Sequence, residues 1–276
     1  MPELPEVEHV VRGLRRAVLG RTIVAAELNL PRIVSSPAPP TFKRKLRSAR
    51  IDAINRRGKY ILFELDSGDV LLVHLRMTGK FLCIDQHEPL PRYAHVVFYL
   101  DDDRRLVFSD MRQFGRMRLL SASKLPALPQ IEMLAPEPFA DSFSLDYFRE
   151  TLSKSRRSLK QLLLDQTKIL GLGNIYASEA LFLARISPLK SADTLSKARA
   201  VKLHQAIRDI LDEAIAAGST LRIDLTDGDS SYIGTTERFW RVYERAGEPC
   251  VNCGTKIRRV VQGARSTYYC PKCQKK

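Results

Sequence analysis

Two short stretches at opposite ends of the chain hold the side chains best suited to chemistry. Cys250, Cys253, Cys270 and Cys273 follow the pattern C-x2-C-x16-C-x2-C, in which two thiolate pairs on tight turns converge on one tetrahedral ion, zinc above all. Two disulfides are the alternative. Only one further cysteine, Cys83, is present, and there is neither a secretion signal nor an apolar run long enough to span a bilayer, so a reducing cytoplasm and one Zn2+ are expected. Four thiolates leave no open coordination position, so the ion folds a hairpin and performs no catalysis. That hairpin carries Lys256, Arg258, Arg259 and Arg265, with Lys272, Lys275 and Lys276 after them.

At the other end the chain begins Met1-Pro2-Glu3-Leu4-Pro5-Glu6. Removal of Met1, which the small Pro2 permits, exposes a secondary amine. An α-amino group has a pKa of about 8 against about 10.4 for lysine, so a usable fraction is neutral and nucleophilic near pH 7. Such an amine condenses with an aldehyde-level carbon to a cationic iminium, and Glu3 and Glu6 are near enough in sequence to serve as proton donor and acceptor. The same six residues are also ordinary chemistry for starting a helix.

The chain carries 45 Lys and Arg against 31 Asp and Glu, a formal charge of +14. Such an excess marks a polyanionic partner, nucleic acid by default. The charge is clustered at Arg12, Arg15 and Arg16; Lys43, Arg44, Lys45, Arg47 and Arg50; Arg56, Arg57 and Lys59; and Lys154, Arg156, Arg157 and Lys160. Neither a basic amphipathic membrane helix nor a lipidation signal is apparent. A hydrophobic content of 44% supports folded domains over a disordered basic tail.

The elements that must position these groups are readable in outline. Residues 6–19 predict an amphipathic helix, with Val7, Val10, Val11, Leu14 and Val18 at helical spacing and Gly20 as its stop. Residues 22–120 predict short strands, the clearest at 60–65, 70–75, 94–100, 106–108 and 117–120, folding as a β-sandwich or flattened barrel. The proline-bearing stretch 121–142 lacks a period and is expected to contain an interdomain linker, at 131–142. From there to Gly218 the pattern is helical, most clearly at 175–186 and 196–217, and 220–239 is expected to form a mobile loop. The fold class expected is α+β, in three parts: 1–130 (helix plus β-sandwich), 143–219 (helical) and 240–276 (four-cysteine finger).

Several motifs occur in a characteristic order: Met1-Pro2-Glu3-Leu4-Pro5-Glu6-Val7-Glu8, Arg57-Gly58-Lys59-Tyr60, His74-Leu75-Arg76-Met77, Asp110-Met111-Arg112-Gln113-Phe114-Gly115, Gly171-Leu172-Gly173-Asn174-Ile175-Tyr176 and the terminal cysteines. Collinear and spanning the whole chain, they resemble the bacterial formamidopyrimidine-DNA glycosylases. The resemblance implies a monomeric bifunctional base-excision enzyme of the bacterial cytoplasm, associated with the nucleoid. It would remove oxidised purines such as 8-oxoguanine and formamidopyrimidines from duplex DNA, then cut the abasic strand by β,δ-elimination. It also implies roles by position. The Pro2 nitrogen attacks C1′, Glu3 is the general acid, Glu6 supports the site, and Lys59 holds a phosphate beside the lesion. Met77, Arg112 and Phe114 fill the gap left by the extruded nucleotide. Lys160 and Asn174 from a helix–two-turns–helix module, Tyr243, and Arg265 on the finger contact the DNA backbone, and His74 is a further candidate there. Taken as isolated apolar residues, Met77 and Phe114 read first as core residues of their strands, but the arginine and the break at Gly115 favour an exposed loop; His74 reads equally as a structural histidine.

Two departures concern substrate choice. Gln113 stands where such enzymes often carry a basic residue, and 222–234, corresponding to the loop that covers the extruded base, fits the pattern poorly. An endonuclease VIII-type enzyme for oxidised pyrimidines is the nearest alternative, with Leu4, Met77, Arg112 and Phe114 against it. A non-catalytic zinc-ribbon nucleic-acid binder is the alternative from another class.

Overall fold

The computed structural model describes residues 1–217 and 240–275, which form two compact units, one of residues 1–132 and the other of residues 133–217 with 240–275. The expected loop at 220–239 lies outside the described residues. No described helix is long and apolar enough to cross a membrane.

The first unit opens with helix α1 (Leu4–Val18), which starts two residues earlier than its apolar period suggests. The cause is local. Glu3 is the N-cap, and a reciprocal capping box joins it to Glu6, whose carboxylate accepts from the Glu3 amide at 2.8 Å. The helix is rich in valine, each costing up to about 0.7 kcal/mol in helix propensity. Val7, Val10, Val11, Leu14 and Val18 are all at most 1% exposed, and full burial of such side chains is worth about 1.5–3 kcal/mol each, so packing decides the conformation.

Strands β1 (Thr22–Leu28), β2 (Val34–Ser36), β3 (Ala49–Arg57), β4 (Tyr60–Leu65), β5 (Asp69–His74), β6 (Gly79–Asp85), β7 (Ala94–Leu100), β8 (Arg104–Asp110) and β9 (Arg116–Ser121) form one strip in the order β2-β9-β5-β4-β3-β1-β7-β8-β6. Its halves are joined where β1 pairs β3 through Thr22↔Arg50 and Ile23↔Ala49. Phe63, Val73 and Met117 of one half and Phe81, Phe98 and Phe108 of the other share a single core with α1, the arrangement of a sandwich.

Two segments differ from expectation. Helix α2 (Pro39–Leu46) interrupts the strands, marked only by Phe42 and Leu46 one turn apart and both buried. Within 121–142, Leu125, Leu128 and Ile131 cover Leu62, Val70 and Leu72 on the outer sheet face, and Pro129–Glu132 forms a short helix, α3. Residues 125–131 are therefore part of the first unit's packing rather than a bare tether.

The second unit contains α4 (Leu145–Ser153), α5 (Leu159–Leu163), α6 (Asn174–Leu183) and α7 (Lys197–Ala217), followed by the hairpin of β10 (Arg258–Gln262) and β11 (Arg265–Tyr269). Ser144 and Ser158 cap α4 and α5 by accepting from the Tyr147 and Gln161 amides.

Candidate active site and nucleic-acid contacts

In the first unit, the start of α1 places Glu3 and Glu6 beside the amino terminus. Pro2 is buried, and Glu3 is 2% exposed. The terminal amine carried by Met1 is held below its usual pKa of 8.0, first by burial and also by Lys59 and Arg112, while Glu3 and Glu6 act in the opposite sense. Four of the residues singled out from sequence thus surround one amine, and that setting favours its neutral, nucleophilic form.

Lys59 reaches this place through the tight turn between β3 and β4, where Arg57 pairs with Tyr60 and Gly58 supplies a φ of +56°. Arg56 holds the turn to α1, donating from Nη1 to the Gly58 carbonyl at 3.1 Å and from Nε to Glu8 at 3.0 Å. Glu8 also accepts from Arg12 at 3.0 Å, and these two guanidinium bonds keep its carboxyl below the usual range against the opposing effect of burial. Arg56 appears in the sequence only as part of a basic cluster and Glu8 only as part of the opening motif, and neither is given a role there. Their signal, opposite charges 48 residues apart, is invisible without the fold.

His74 ends β5. Its Nδ1 accepts from the Arg76 amide at 3.0 Å, so the proton of the neutral ring belongs on Nε2. Tyr60 lies edge-on to it at 4.7 Å. Burial, with Arg76 and Lys59 nearby, lowers its pKa to about 3. The neutral ring therefore leaves Nε2–H as its donor.

Met77 and Phe114 are 39% and 48% exposed, which decides against a core role for either. Met77 lies in the turn between β5 and β6, while Arg112 and Phe114 lie in the turn between β8 and β9, with the guanidinium 5.0 Å over the phenyl ring. Arg76 and Gln113 both have a φ of +58°, the left-handed region uncommon for side-chain-bearing residues, and it redirects each turn. Gln113 accepts a hydrogen bond from the Arg32 guanidinium.

In the second unit, Lys160 is 1% exposed, and its ammonium donates to the Asn174 carbonyl and the Ser178 hydroxyl, both at 2.6 Å. It underpins the first turn of α6. Asn174 donates through Nδ2 to the Ser266 carbonyl at 2.9 Å, beside Arg265. Gln262 donates to the Ser158 hydroxyl at 2.9 Å. Between them, Gly263 and Ala264 have φ values of +54° and +60°, the two left-handed residues of a type I′ hairpin turn, and Arg265 follows exposed. Tyr243 packs edge-on to Tyr268 at 5.3 Å. Its amide, with those of Arg241 and Val242, donates to the fully buried carboxylate of Glu179 at 2.9–3.0 Å. Sequence reasoning did not find Glu179, since nothing local distinguishes it from a surface acid of α6.

The four finger sulfurs lie within 4.8 Å of one another, with Cys253 and Cys270 3.5 Å apart and Cys250 and Cys273 3.9 Å apart. A ZnS4 tetrahedron with bonds of about 2.3 Å has edges of about 3.8 Å, whereas a disulfide needs about 2.05 Å. Amides of Asn252 and Cys273 donate to the Cys250 and Cys270 sulfurs at 3.4 Å, the support expected of thiolate ligands. The donor set fits one zinc ion.

Comparison with known proteins extends this picture along the whole chain. The formamidopyrimidine-DNA glycosylase N-terminal domain matches residues 1–117, the formamidopyrimidine-DNA glycosylase H2TH domain 134–224, and the zinc finger found in FPG and IleRS 247–276. A relative from Pelotomaculum thermopropionicum, named formamidopyrimidine-DNA glycosylase, is 44% identical over 275 residues, covering 100% of this chain and 99% of its own. Lactococcus lactis Fpg, solved with DNA containing an abasic site, superposes with a TM-score of 0.91 at 36% identity, covering 99% of this chain and 100% of that one. MutM, solved with DNA containing carbocyclic 8-oxo-G, gives 0.90 at 35%, with both chains covered completely. With all three domain models in order and full-length relatives above 40% identity, the chain belongs to the formamidopyrimidine-DNA glycosylase family.

Proposed function

We propose that this protein is a bifunctional DNA glycosylase and abasic-site lyase, working as a monomer on damaged duplex DNA in the bacterial cytoplasm, with oxidised purines as its substrates. The observation that carries the reading is the half-buried terminal amine beside buried Pro2, held below its usual pKa, with Glu3, Glu6, Lys59 and Arg112 acting on it. Relatives solved with abasic-site and 8-oxo-G DNA support the substrate class. Once Met1 is removed, the neutral Pro2 nitrogen attacks C1′ and the glycosidic bond breaks; its electron pair leaves with the base, which takes up the proton that the new ammonium sheds. Glu3 protonates the ring oxygen as the sugar opens to an iminium. Loss of a C2′ proton then expels the 3′ phosphate, and a second elimination expels the 5′ phosphate, while Glu6 holds the helix start and Lys59 a phosphate. Met77 and Phe114 wedge into the stack and Arg112 meets the orphaned base. His74, Lys160, Asn174, Tyr243 and Arg265 serve the backbone, Lys160 by supporting the α6 turn from beneath. Zinc shapes the finger and takes no part in the chemistry.

Borohydride trapping on a panel of lesion duplexes tests the reading. A covalent adduct with 8-oxoguanine DNA is expected. Preferential trapping on oxidised pyrimidines would move the protein to the endonuclease VIII type, and no adduct at all would leave a nucleic-acid binder.

Arg112 is expected to set the choice of opposite base. A guanidinium offers only donors, which suit the acceptor edge of cytosine, whereas adenine presents an exocyclic amine. Discrimination of about 1–3 kcal/mol follows, or roughly 5- to 150-fold in rate. In single-turnover excision of 8-oxoguanine, Arg112→Ala should shrink the cytosine-to-adenine ratio more than it slows cleavage of a preformed abasic site. An unchanged ratio rejects this role.

Affinity should depend steeply on salt. With about six phosphates neutralised, log K falls against log salt with a slope of about −5. A slope near zero, measured by titration at several salt concentrations, removes the electrostatic premise.

A further inference from the structure

The buried Asp110 carboxylate is not assigned by the chemistry above, yet it lies where the two wedge-bearing turns separate. Gly79↔Asp110 is the first pair of the β6–β8 ladder. Beyond it the chain runs one way into the turn with Met77 and the other way into the turn with Arg112 and Phe114, so no ladder holds the two turns together. Asp110 does so from the side. One carboxylate oxygen accepts from the Thr78 hydroxyl and from the Arg112 amide at 3.2 Å; the other accepts from the Gly115 amide at 2.7 Å. The Arg112 amide also donates to the Thr78 hydroxyl at 3.0 Å. Asp110 is 0% exposed, and its partners in this cluster are neutral donors, one from the first turn and two from the second.

Phe108, two residues earlier and so on the same face of β8, completes the joint. A Cβ at Gly79 would approach its ring to 2.8 Å, and one at Gly115 to 2.5 Å, so both turns press on one phenyl group. The main chain of Asp110 is itself fixed, with its carbonyl 2.8 Å from His95 Nε2 and its amide donating to the Tyr93 carbonyl at 3.2 Å.

We infer that Asp110 is the positioning residue of the wedge, its carboxylate locking the Met77 turn to the Arg112–Phe114 turn so that all three side chains enter the DNA as one preassembled unit. The inference rests on the reading of these turns as DNA wedges. A carboxylate suits the task because its two oxygens satisfy three converging N–H and O–H donors at once, which an amide cannot do without turning its own NH2 against one of them.

The test uses the full-length zinc-loaded protein, with Asp110→Asn, Thr78→Val and Thr78→Ser. The first measurement needs no chemistry: a duplex with a non-cleavable tetrahydrofuran site and 2-aminopurine beside the orphaned base, whose fluorescence rises when a wedge unstacks it. The second compares single-turnover excision of 8-oxoguanine opposite cytosine and adenine with β-elimination on a single-stranded abasic oligonucleotide, which has no partner strand to wedge. Asp110→Asn should lose most of the fluorescence rise at saturating protein, slow duplex excision by about 10- to 100-fold and bring the cytosine-to-adenine ratio close to one. Single-strand elimination should stay within about twofold of wild type. Thr78→Val should show the same pattern more weakly, and Thr78→Ser should restore wild-type behaviour. A wild-type fluorescence rise and base ratio in folded Asp110→Asn overturn the assignment. So does an equal loss on duplex and single strand, which marks a merely structural role. If Asp110→Asn does not fold, the Thr78 pair decides by the same criteria. A wild-type protein that unstacks the reporter without ever being trapped on abasic DNA refutes the proposed chemistry and leaves the Asp110 assignment standing.

Discussion

Blocking the amino group of Pro2, by retention of Met1 or by acylation, should lower strand cleavage and borohydride trapping by at least about 10³-fold while leaving lesion binding within a few-fold of normal. The size follows from the amine's part as nucleophile, since losing a nucleophile removes a whole reaction path rather than one stabilising contact. The separation from binding follows from position: Lys59 sits on the β3–β4 turn and the proposed wedge residues on two other turns, so blocking the amine removes none of these side chains. Mass spectrometry of the trapped complex should place the adduct on the terminal residue. An adduct on Lys59 would sink the assignment, because it would make the lysine the nucleophile.

Zinc removal should have the second largest effect. The finger is a hairpin of two five-residue strands over a small cluster of Phe182, Val242, Cys250, Ile257 and Cys270, and an isolated two-stranded hairpin is marginal in water. Binding of a structural zinc contributes about 10–16 kcal/mol in comparable fingers, so the ion decides whether this one folds. Cys250→Ser should release the metal and reduce duplex affinity by more than about 100-fold. The first unit should retain its circular dichroism and melting transition, since its core includes no finger residue. Arg265→Ala should keep the zinc and weaken binding by only about tenfold. Fully reduced, active protein containing no zinc by metal analysis would overturn the assignment.

The four-cysteine finger and the start of α1 were legible because their signals are local. A fixed cysteine spacing and a short string of residues before an amphipathic helix need no knowledge of the fold, and the α+β class and family follow from motifs in order. Strands β4 and β7 have the limits their apolar runs suggest, 60–65 and 94–100. What escaped depends on burial and chain path that no local pattern carries. Asp110 and Glu179 read in sequence as ordinary acids, but each is fully buried on backbone amides, and Glu179 binds amides more than 60 residues away. Lys160 lies in a basic run that promises an open charge, yet the return of the chain at Asn174 and Ser178 encloses it. Helix α2 was missed because eight residues that open on two prolines and hold only two apolar anchors carry too little period.

The seating of the hairpin tip has a consequence for modularity. The finger corresponds to a domain type shared with IleRS and is in that sense a portable part. Here, though, its tip borrows a hydroxyl from Ser158 and an amide from Asn174, outside the part itself. Grafted onto another protein, residues 247–276 would carry their metal site with them but not their aim, since the direction of Arg265 is specified by the receiving surface. Swapping fingers between family members should therefore preserve DNA contact only when Ser158 and Asn174 travel with them or are already present in the host.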